Sequence, residues 1–415
     1  MDMRLEIIAV GSEVLWGEVQ GDNARVLSRV CTSIGVEPDR VTVLPDDIDV
    51  LADEFRSAAE RGGTVIVTGG LGPTADDVTK EAAIRALGLA TRERPEIVIR
   101  IEERFREFGR RMPASYRDQA VIPDGAEILP NTVGLAVGLR IDRAGFRFYL
   151  LPGVPTEMRE MFERNVLPEL GADGRNARER LRTFGLSETE VEERLARVPE
   201  MPADRLSIIS SPSGVDVYLP AAVVTGERSG QIKTVLGSYL YGTGDRRMPE
   251  IVLDVLRDRE RTLAVAESVT GGLLASTLVA VPGASDVFVE GYITYSNEAK
   301  VGRLGVDRSA IDRSGAVSSG VCAAMAAGAR AASSADFALS TTGIAGPGGG
   351  TKAKPVGLCF VGLAAPDGLF VREFTLPGDR ETVRLRAVFH ALDLLRLHLA
   401  GESGRIERFE ATDEA

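Results

Sequence analysis

Ser268 sits in AESVTGG, between the apolar run Leu263-Ala264-Val265-Ala266 and the glycine pair Gly271-Gly272. A serine hydroxyl beside glycines is well perched for attack, but it becomes a nucleophile only when something takes its proton. The usual acceptor is histidine. This chain has two, His390 and His398, both in its last predicted helix. The other candidates are lysine, tyrosine or a carboxylate. GYITYSNEAKVGRLG (291–305) places Tyr295 where a strand should end and Lys300 in the first turn of the next helix. A lysine at a helix N-terminus, partly desolvated and near another cation, loses basicity and can accept a proton. Ser–Lys and Ser–Tyr–Lys arrangements need no imidazole. Lys300 is therefore the predicted base, with Tyr295 relaying or orienting. The bland alternative is a surface lysine and a core tyrosine. A helix starting near Gly271 would offer free N–H groups to an oxyanion, and the step needs no metal.

STTGIAGPGGGTKAKPVG (340–357) adds Thr341, Thr342 and the glycines Gly343, Gly346, Gly348, Gly349 and Gly350 in a long loop after a strand. Glycine amides in such a loop can form an anion nest. It is no P-loop, because GxxxxGK[ST] is not matched. LPGDRETVRLR (376–386) brings Arg380, Arg384 and Arg386 into the opening turns of a helix, where an arginine can clamp phosphate or carboxylate, or simply face solvent.

A second constellation lies near the start of the chain. In TVIVTGGLGPTADDVTK a buried strand runs into Gly69, Gly70 and Gly72, then Thr74, then a helix expected to begin near Asp76. Glycines admit a ligand close to the backbone, and a helix N-terminus attracts an anion. Asp76 and Asp77 would repel phosphate unless a divalent cation bridged them, so the pattern suggests phosphate with a Mg²⁺-like ion. A tight turn with aspartates capping the helix is the alternative. GSEVLWGEVQGDN (11–23) brings Ser12, Glu13 and Asn23, and LPGVPTEM (151–158) brings Glu157 into a helix opened by Pro155. These too could be capping residues.

The elements that must carry these residues alternate. LEIIAV (5–10), VTVL (41–44), TVIV (64–67) and FRFYLL (146–151) read as strands separated by helical patterns. That implies a parallel α/β sheet, whose ligands gather at strand carboxyl ends. From Gly171 the texture becomes that of a small α+β module. Near Pro249 alternation resumes, ending in a helix from Arg380 to Leu399. Three domains are expected, 1–170, 171–248 and 249–415.

Charged residues make up 27% of the chain and the formal net charge is −12. Broad electrostatic binding to nucleic acid or anionic membrane is not expected. No apolar run approaches the roughly 18–20 residues of a membrane span, and no secretory signal pattern precedes LEIIAV; a cytoplasmic address is expected. Cys31, Cys322 and Cys359 lie far apart with no CxxC, which argues against zinc or a disulfide framework.

The motifs also carry a resemblance. GSE…G…N, GGLGPTADD and LPGVPTEM look like the molybdopterin-binding-type domain at the N-terminus of CinA proteins. AESVTGG, PGAS (282–285), YSNEAK, GAVS (315–318), TTGIAGPGGG, KPVG and PGDRETVR look like the CinA C-terminal domain, the nicotinamide-nucleotide amidase family. The resemblance implies an α/β sandwich, a KH-like middle module and an α/β amidase domain. It implies that nicotinamide mononucleotide is hydrolysed to nicotinate mononucleotide and ammonia. On that pattern Ser268 attacks, Lys300 and Tyr295 manage its proton, Thr342 and loop amides contact the reacting group, and Gly271, Gly272, Gly343, Gly346 and an arginine (Arg380 or Arg384) bind substrate. For the first domain it implies cleavage of ADP-ribose, with Asp76, Asp77 and Glu157 on Mg²⁺, Mn²⁺ or Co²⁺, and Ser12, Glu13, Asn23, Gly69, Gly70, Gly72 and Thr74 at the nucleotide. It also implies a homodimer. The middle segment lacks a GXXG loop, which disfavours RNA. The rivals are a competence- or damage-linked protein docking a recombination partner, and a pterin-binding protein of molybdenum-cofactor assembly. Two positions depart from the family: Gly21-Asp22-Asn23 stands for Asp-Thr-Asn, and Val269 for cysteine.

Overall fold

The computed structural model describes residues 4–19, 21–171, 177–202, 205–402, 405–406 and 408–410. They form two compact units, Met1–Arg178 with Pro220–Ala222, and Glu179–Leu219 with Val223–Ala415.

The first unit opens with β1 (Leu5–Val10), α1 (Ser12–Leu15), α2 (Asp22–Ser33), β2 (Arg40–Leu44), α3 (Ile48–Arg61), β3 (Gly63–Thr68) and α4 (Thr79–Leu87). A short antiparallel pair, β4 (Thr91–Glu93) with β5 (Val121–Pro123), brackets α5 (Pro95–Glu107). Then come β6 (Glu127–Leu129), β7 (Gly138–Arg143), β8 (Phe146–Leu151) and α6 (Pro155–Met161). The main sheet has the order β2-β1-β3-β8-β7-β6. Its four parallel members are the four strands expected from sequence; β7 and β6 extend the edge antiparallel.

Every residue of β1 is buried, because side chains alternate between faces and helices cover both. Ile8 and Val10 join Phe55 and Val67 in one core, while Leu5, Ile7 and Ala9 join Leu27 and Met161 in the other. Glu6 interrupts this run at 1% exposure. Its carboxylate accepts from Arg61 Nε at 2.7 Å and Nη2 at 2.6 Å, a bidentate pairing that offsets desolvation.

In the second unit, β9 (Arg178–Thr183), α7 (Glu188–Leu195), β10 (Ser207–Ser211), β11 (Gly214–Pro220), α8 (Gly226–Leu236) and β12 (Leu240–Thr243) come first. The strands form a sheet of order β10-β11-β9-β12, with its own core around Val191, Leu195, Val217, Ile232 and Leu236. Phe184 and Tyr241 pack into the larger core that follows, so the boundary drawn near 248–249 from texture falls inside this unit.

The elements that follow are α9 (Met248–Asp258), β13 (Leu263–Glu267), α10 (Leu273–Val279), β14 (Phe288–Ile293), α11 (Asn297–Leu304), α12 (Arg308–Ser314), α13 (Ser319–Ser333), β15 (Phe337–Gly343), β16 (Leu358–Ala365), β17 (Gly368–Thr375) and α14 (Arg380–Leu399), with α9, α10 and α14 in that core and α11, α12 and α13 in a second one. The sheet order is β14-β13-β15-β16-β17, with β13 parallel to both its neighbours. Leu263 and Val265 face one core, Ala264 and Ala266 the other. The carboxyl ends of β13, β14 and β15 thus lie side by side; Ser268 and Thr294–Tyr295 follow β13 and β14, and Thr342 is the penultimate residue of β15.

Candidate functional site

Lys300 is the fourth residue of α11, and helical Cα–Cβ bonds tilt toward the N-terminus. Its side chain accordingly runs back to the strand ends. Nζ lies 3.0 Å from Ser268 Oγ, 2.8 Å from the Thr294 carbonyl and 3.2 Å from the Tyr295 carbonyl. Those three partners suit either protonation state. As ammonium, Nζ donates to all three. As neutral amine it keeps two N–H bonds to the carbonyls and turns its lone pair to the Ser268 O–H, which then donates. Lys300 is 1% exposed, and the desolvation expected from sequence, without the neighbouring cation expected beside it, lowers its pKa to about 8. The imidazoles are elsewhere. His390 packs against Phe374, with ring centroids 3.8 Å apart, and its pKa falls to about 3 through burial and the charges of Arg372 and Arg386.

Tyr295 does not take the relay position. β14 ends at Ile293, so Tyr295 falls two residues beyond the strand with its ring 62% exposed. Its phenol oxygen accepts from Arg380 Nη2 at 3.2 Å, and only its main-chain carbonyl meets Lys300. Thr342 differs likewise: its hydroxyl donates to the Ala316 carbonyl at 2.8 Å, which commits that proton to bracing β15. Gly343 is pressed against Leu358 and Cys359 of β16, where a Cβ would collide, and serves packing. Gly346 presents its carbonyl to Arg380 Nη1 at 2.8 Å. Arg384 Nη2 donates to the Thr270 carbonyl at 2.7 Å. Arg386 turns away; its buried Nε has no partner among the described residues. Arg380 and Arg384 are therefore the pair on the Ser268 side. Val269, in place of the family's cysteine, fills an apolar cluster with Ala345, Cys359 and Val383.

The expectation for the helix N-terminus is overturned. Gly271 and Gly272 both take positive φ, at 58° and 96°, and α10 starts at Leu273. The Gly272 amide donates to Glu267 Oε2 at 3.0 Å, Leu274 to the same oxygen at 3.0 Å, and Ala275 to Oε1 at 2.8 Å. A carboxylate with no solvent exposure thus occupies the place assigned to an oxyanion. Sequence reasoning missed Glu267. Its one signal was an acid closing the apolar run LAVA. Also missed were Lys354, whose ammonium ties the glycine loop to the carbonyls of Ser314 and Val317, and Thr294, whose buried hydroxyl has no partner among the described residues.

In the first unit a cavity of about 600 Å³ opens at the carboxyl ends of β1, β3 and β8. Glu13, Gly69, Gly70, Gly72, Asp76, Asp77 and Glu157 line it as expected. Ser12, Asn23 and Thr74 do not; they brace its walls. Ser12 and Asp46 exchange hydrogen bonds at 2.7 and 3.1 Å. Asn23 Nδ2 bonds Thr68 Oγ1 at 3.1 Å and the Gly153 carbonyl at 2.8 Å, stapling the loops after β3 and β8. The Thr74 amide and hydroxyl both donate to Asp77. Because that turn comes first, α4 starts at Thr79, and neither aspartate caps it. Gly69 has φ 109°, and a Cβ there would strike the Val10 carbonyl.

Among the described residues no three His, Cys, Asp or Glu groups stand close enough to hold an ion. Hard carboxylate oxygens do face the cavity, from Asp76, Asp77 and Glu157, and Glu157 is steadied by Asn131 Nδ2 at 2.5 Å. That donor set suits a Mg²⁺-type cation whose remaining ligands come from elsewhere. Arg104 of α5, Phe108 just beyond that helix and Tyr116 also line the cavity, and sequence reasoning missed them.

Two α/β units with loops collected at parallel strand ends define the class, and known families match each. Residues 6–172 match the "Probable molybdopterin binding domain" model and residues 245–399 the "CinA C-terminal domain" model. A CinA-like protein of Frankia casuarinae is 41% identical over 96% of this chain and 97% of its own. One from Kosmotoga olearia is 39% identical over 95% and 98%. The crystal structure of competence/damage inducible protein CihA from Agrobacterium tumefaciens is 37% identical over 37% of this chain and 93% of that one, with TM-score 0.36. The chain belongs to the CinA family. No helix among the described residues is long and apolar enough to cross a membrane.

Proposed function

We propose that the second unit hydrolyses the carboxamide of nicotinamide mononucleotide to nicotinate mononucleotide and ammonia, and that the first cleaves the pyrophosphate of ADP-ribose. The single observation carrying the first reading is the 3.0 Å contact between Lys300 Nζ and Ser268 Oγ, made by an amine of lowered pKa. Neutral Lys300 takes the Ser268 proton as Oγ bonds to the carboxamide carbon. The resulting ammonium returns that proton to the departing nitrogen as the C–N bond breaks, releasing ammonia and leaving an ester on Ser268. Lys300 then takes a proton from water, hydroxide adds to the ester, and the proton goes back to Oγ as the acid leaves. Arg380 and Arg384, on the Ser268 side of α14, supply positive charge suited to the nucleotide phosphate.

For the first unit, the cavity of about 600 Å³ supports the reading, because its size suits a nucleotide and its acidic side suits a cation on phosphate. Asp76, Asp77 and Glu157 would hold a divalent ion, which would neutralise charge on the pyrophosphate.

Ser268→Ala is the direct test. Ammonia release from nicotinamide mononucleotide should fall by at least about 10³-fold with the thermal midpoint unchanged. A variant as active as the parent would refute the serine mechanism.

A further inference from the structure

Thr270 is fully buried, and nearly all its polar atoms are accounted for. Its hydroxyl pairs with Thr341 Oγ1 at 2.7 Å; its carbonyl accepts from Arg384 and from the Leu273 amide. Its amide has no partner among the described residues, and neither has the amide of Val269, which is buried, or that of Gly271, which is exposed. Buried residues whose N–H groups lack partners are rare, and two in succession beside a nucleophile, Val269 and Thr270, call for a ligand. Immediately downstream the pattern inverts, for Gly272, Leu274 and Ala275 all donate to the buried Glu267 carboxylate.

We propose that Glu267 is a positioning residue that builds the oxyanion site. By binding the start of α10 it withdraws the helix amides and fixes the 268–272 turn, leaving the Val269–Gly271 amides to receive the oxygen of the tetrahedral intermediate. This rests on reading Ser268 as the nucleophile. The three N–H bonds satisfy the Glu267 carboxylate oxygens in their buried seat. Glutamine there would set an NH₂ against amide N–H groups and loosen the turn, although it fills the same space.

The test uses the full chain and 3-pyridineboronic acid, whose boron accepts Ser268 Oγ while the serine proton passes to Lys300, giving a tetrahedral anion. In amide NMR spectra, Val269, Thr270 and Gly271 should shift and exchange more slowly on adduct formation, with Gly272, Leu274 and Ala275 unmoved. Movement of the second group alone overturns the proposal. No adduct at all defeats the serine reading itself, a separate failure from finding that nicotinamide mononucleotide is not the substrate. In parallel, Glu267→Gln should lower kcat by about 10- to 100-fold and weaken the boronate, while KM and the affinity for nicotinate mononucleotide hold. Parental kcat in that variant overturns the proposal; if it does not fold, the spectra of the unaltered chain decide.

Discussion

A buried amine that must be neutral to act writes its pKa into the rate. With Lys300 lowered to about 8, ammonia release should climb as pH rises through 8 and level off above it. Stability should move the same way. Between about 8 and the ordinary lysine value of 10.5 the unfolded chain binds the proton that the folded chain has shed, so unfolding becomes costlier with rising pH. Lys300→Met should abolish both slopes, measured by initial rates and by denaturant midpoints across pH 7 to 11. A rate profile flat through pH 8 would contradict the assigned base. Lys300 and Ser268 were legible from sequence because each follows a strand and flanks a helix start. Tyr295 and Thr342 were misread because type and proximity say nothing about where a hydroxyl points. Glu267 went unseen since an acid at a strand end looks like a solvated edge, and its three amide partners emerge only once the turn is folded.

The strands that place these groups were readable because both faces are covered, which makes each a continuous apolar run. The antiparallel strands, β6 at the sheet edge and β7 beside it, escaped notice, being short or mixed with charge, as EIL and GLRIDR are. The start of α4 was set too early because the Thr74–Asp77 turn mimics a helix cap. Within β1, Glu6 offers a stability test at this scale. Arg61→Leu removes its bidentate partner and leaves a carboxylate at 1% exposure, at a cost of about 3–5 kcal/mol. Glu6→Leu in the same chain should recover most of that, read from denaturant midpoints. An Arg61→Leu variant as stable as the parent would mean that Arg4, whose Nε lies 3.4 Å from Glu6 Oε1, suffices to hold the carboxylate.

Each unit carries its own sheets, cores and candidate strand-end site. The two proposed activities should therefore separate by mutation. Asp76→Asn with Asp77→Asn is expected to remove metal-dependent cleavage of ADP-ribose while ammonia release persists, and Ser268→Ala the converse. Loss of both activities from either change would argue for one shared site. The histidine inventory of the whole chain has a practical corollary. His398 contacts Phe337, at the start of β15, and the site lies at that strand's other end, about 20 Å away; His390 is wedged among aromatic rings. Diethyl pyrocarbonate, applied at pH 6 while Lys300 still carries its proton, should spare the proposed ammonia-releasing activity, whereas hydrolases that depend on imidazole are silenced by the same treatment.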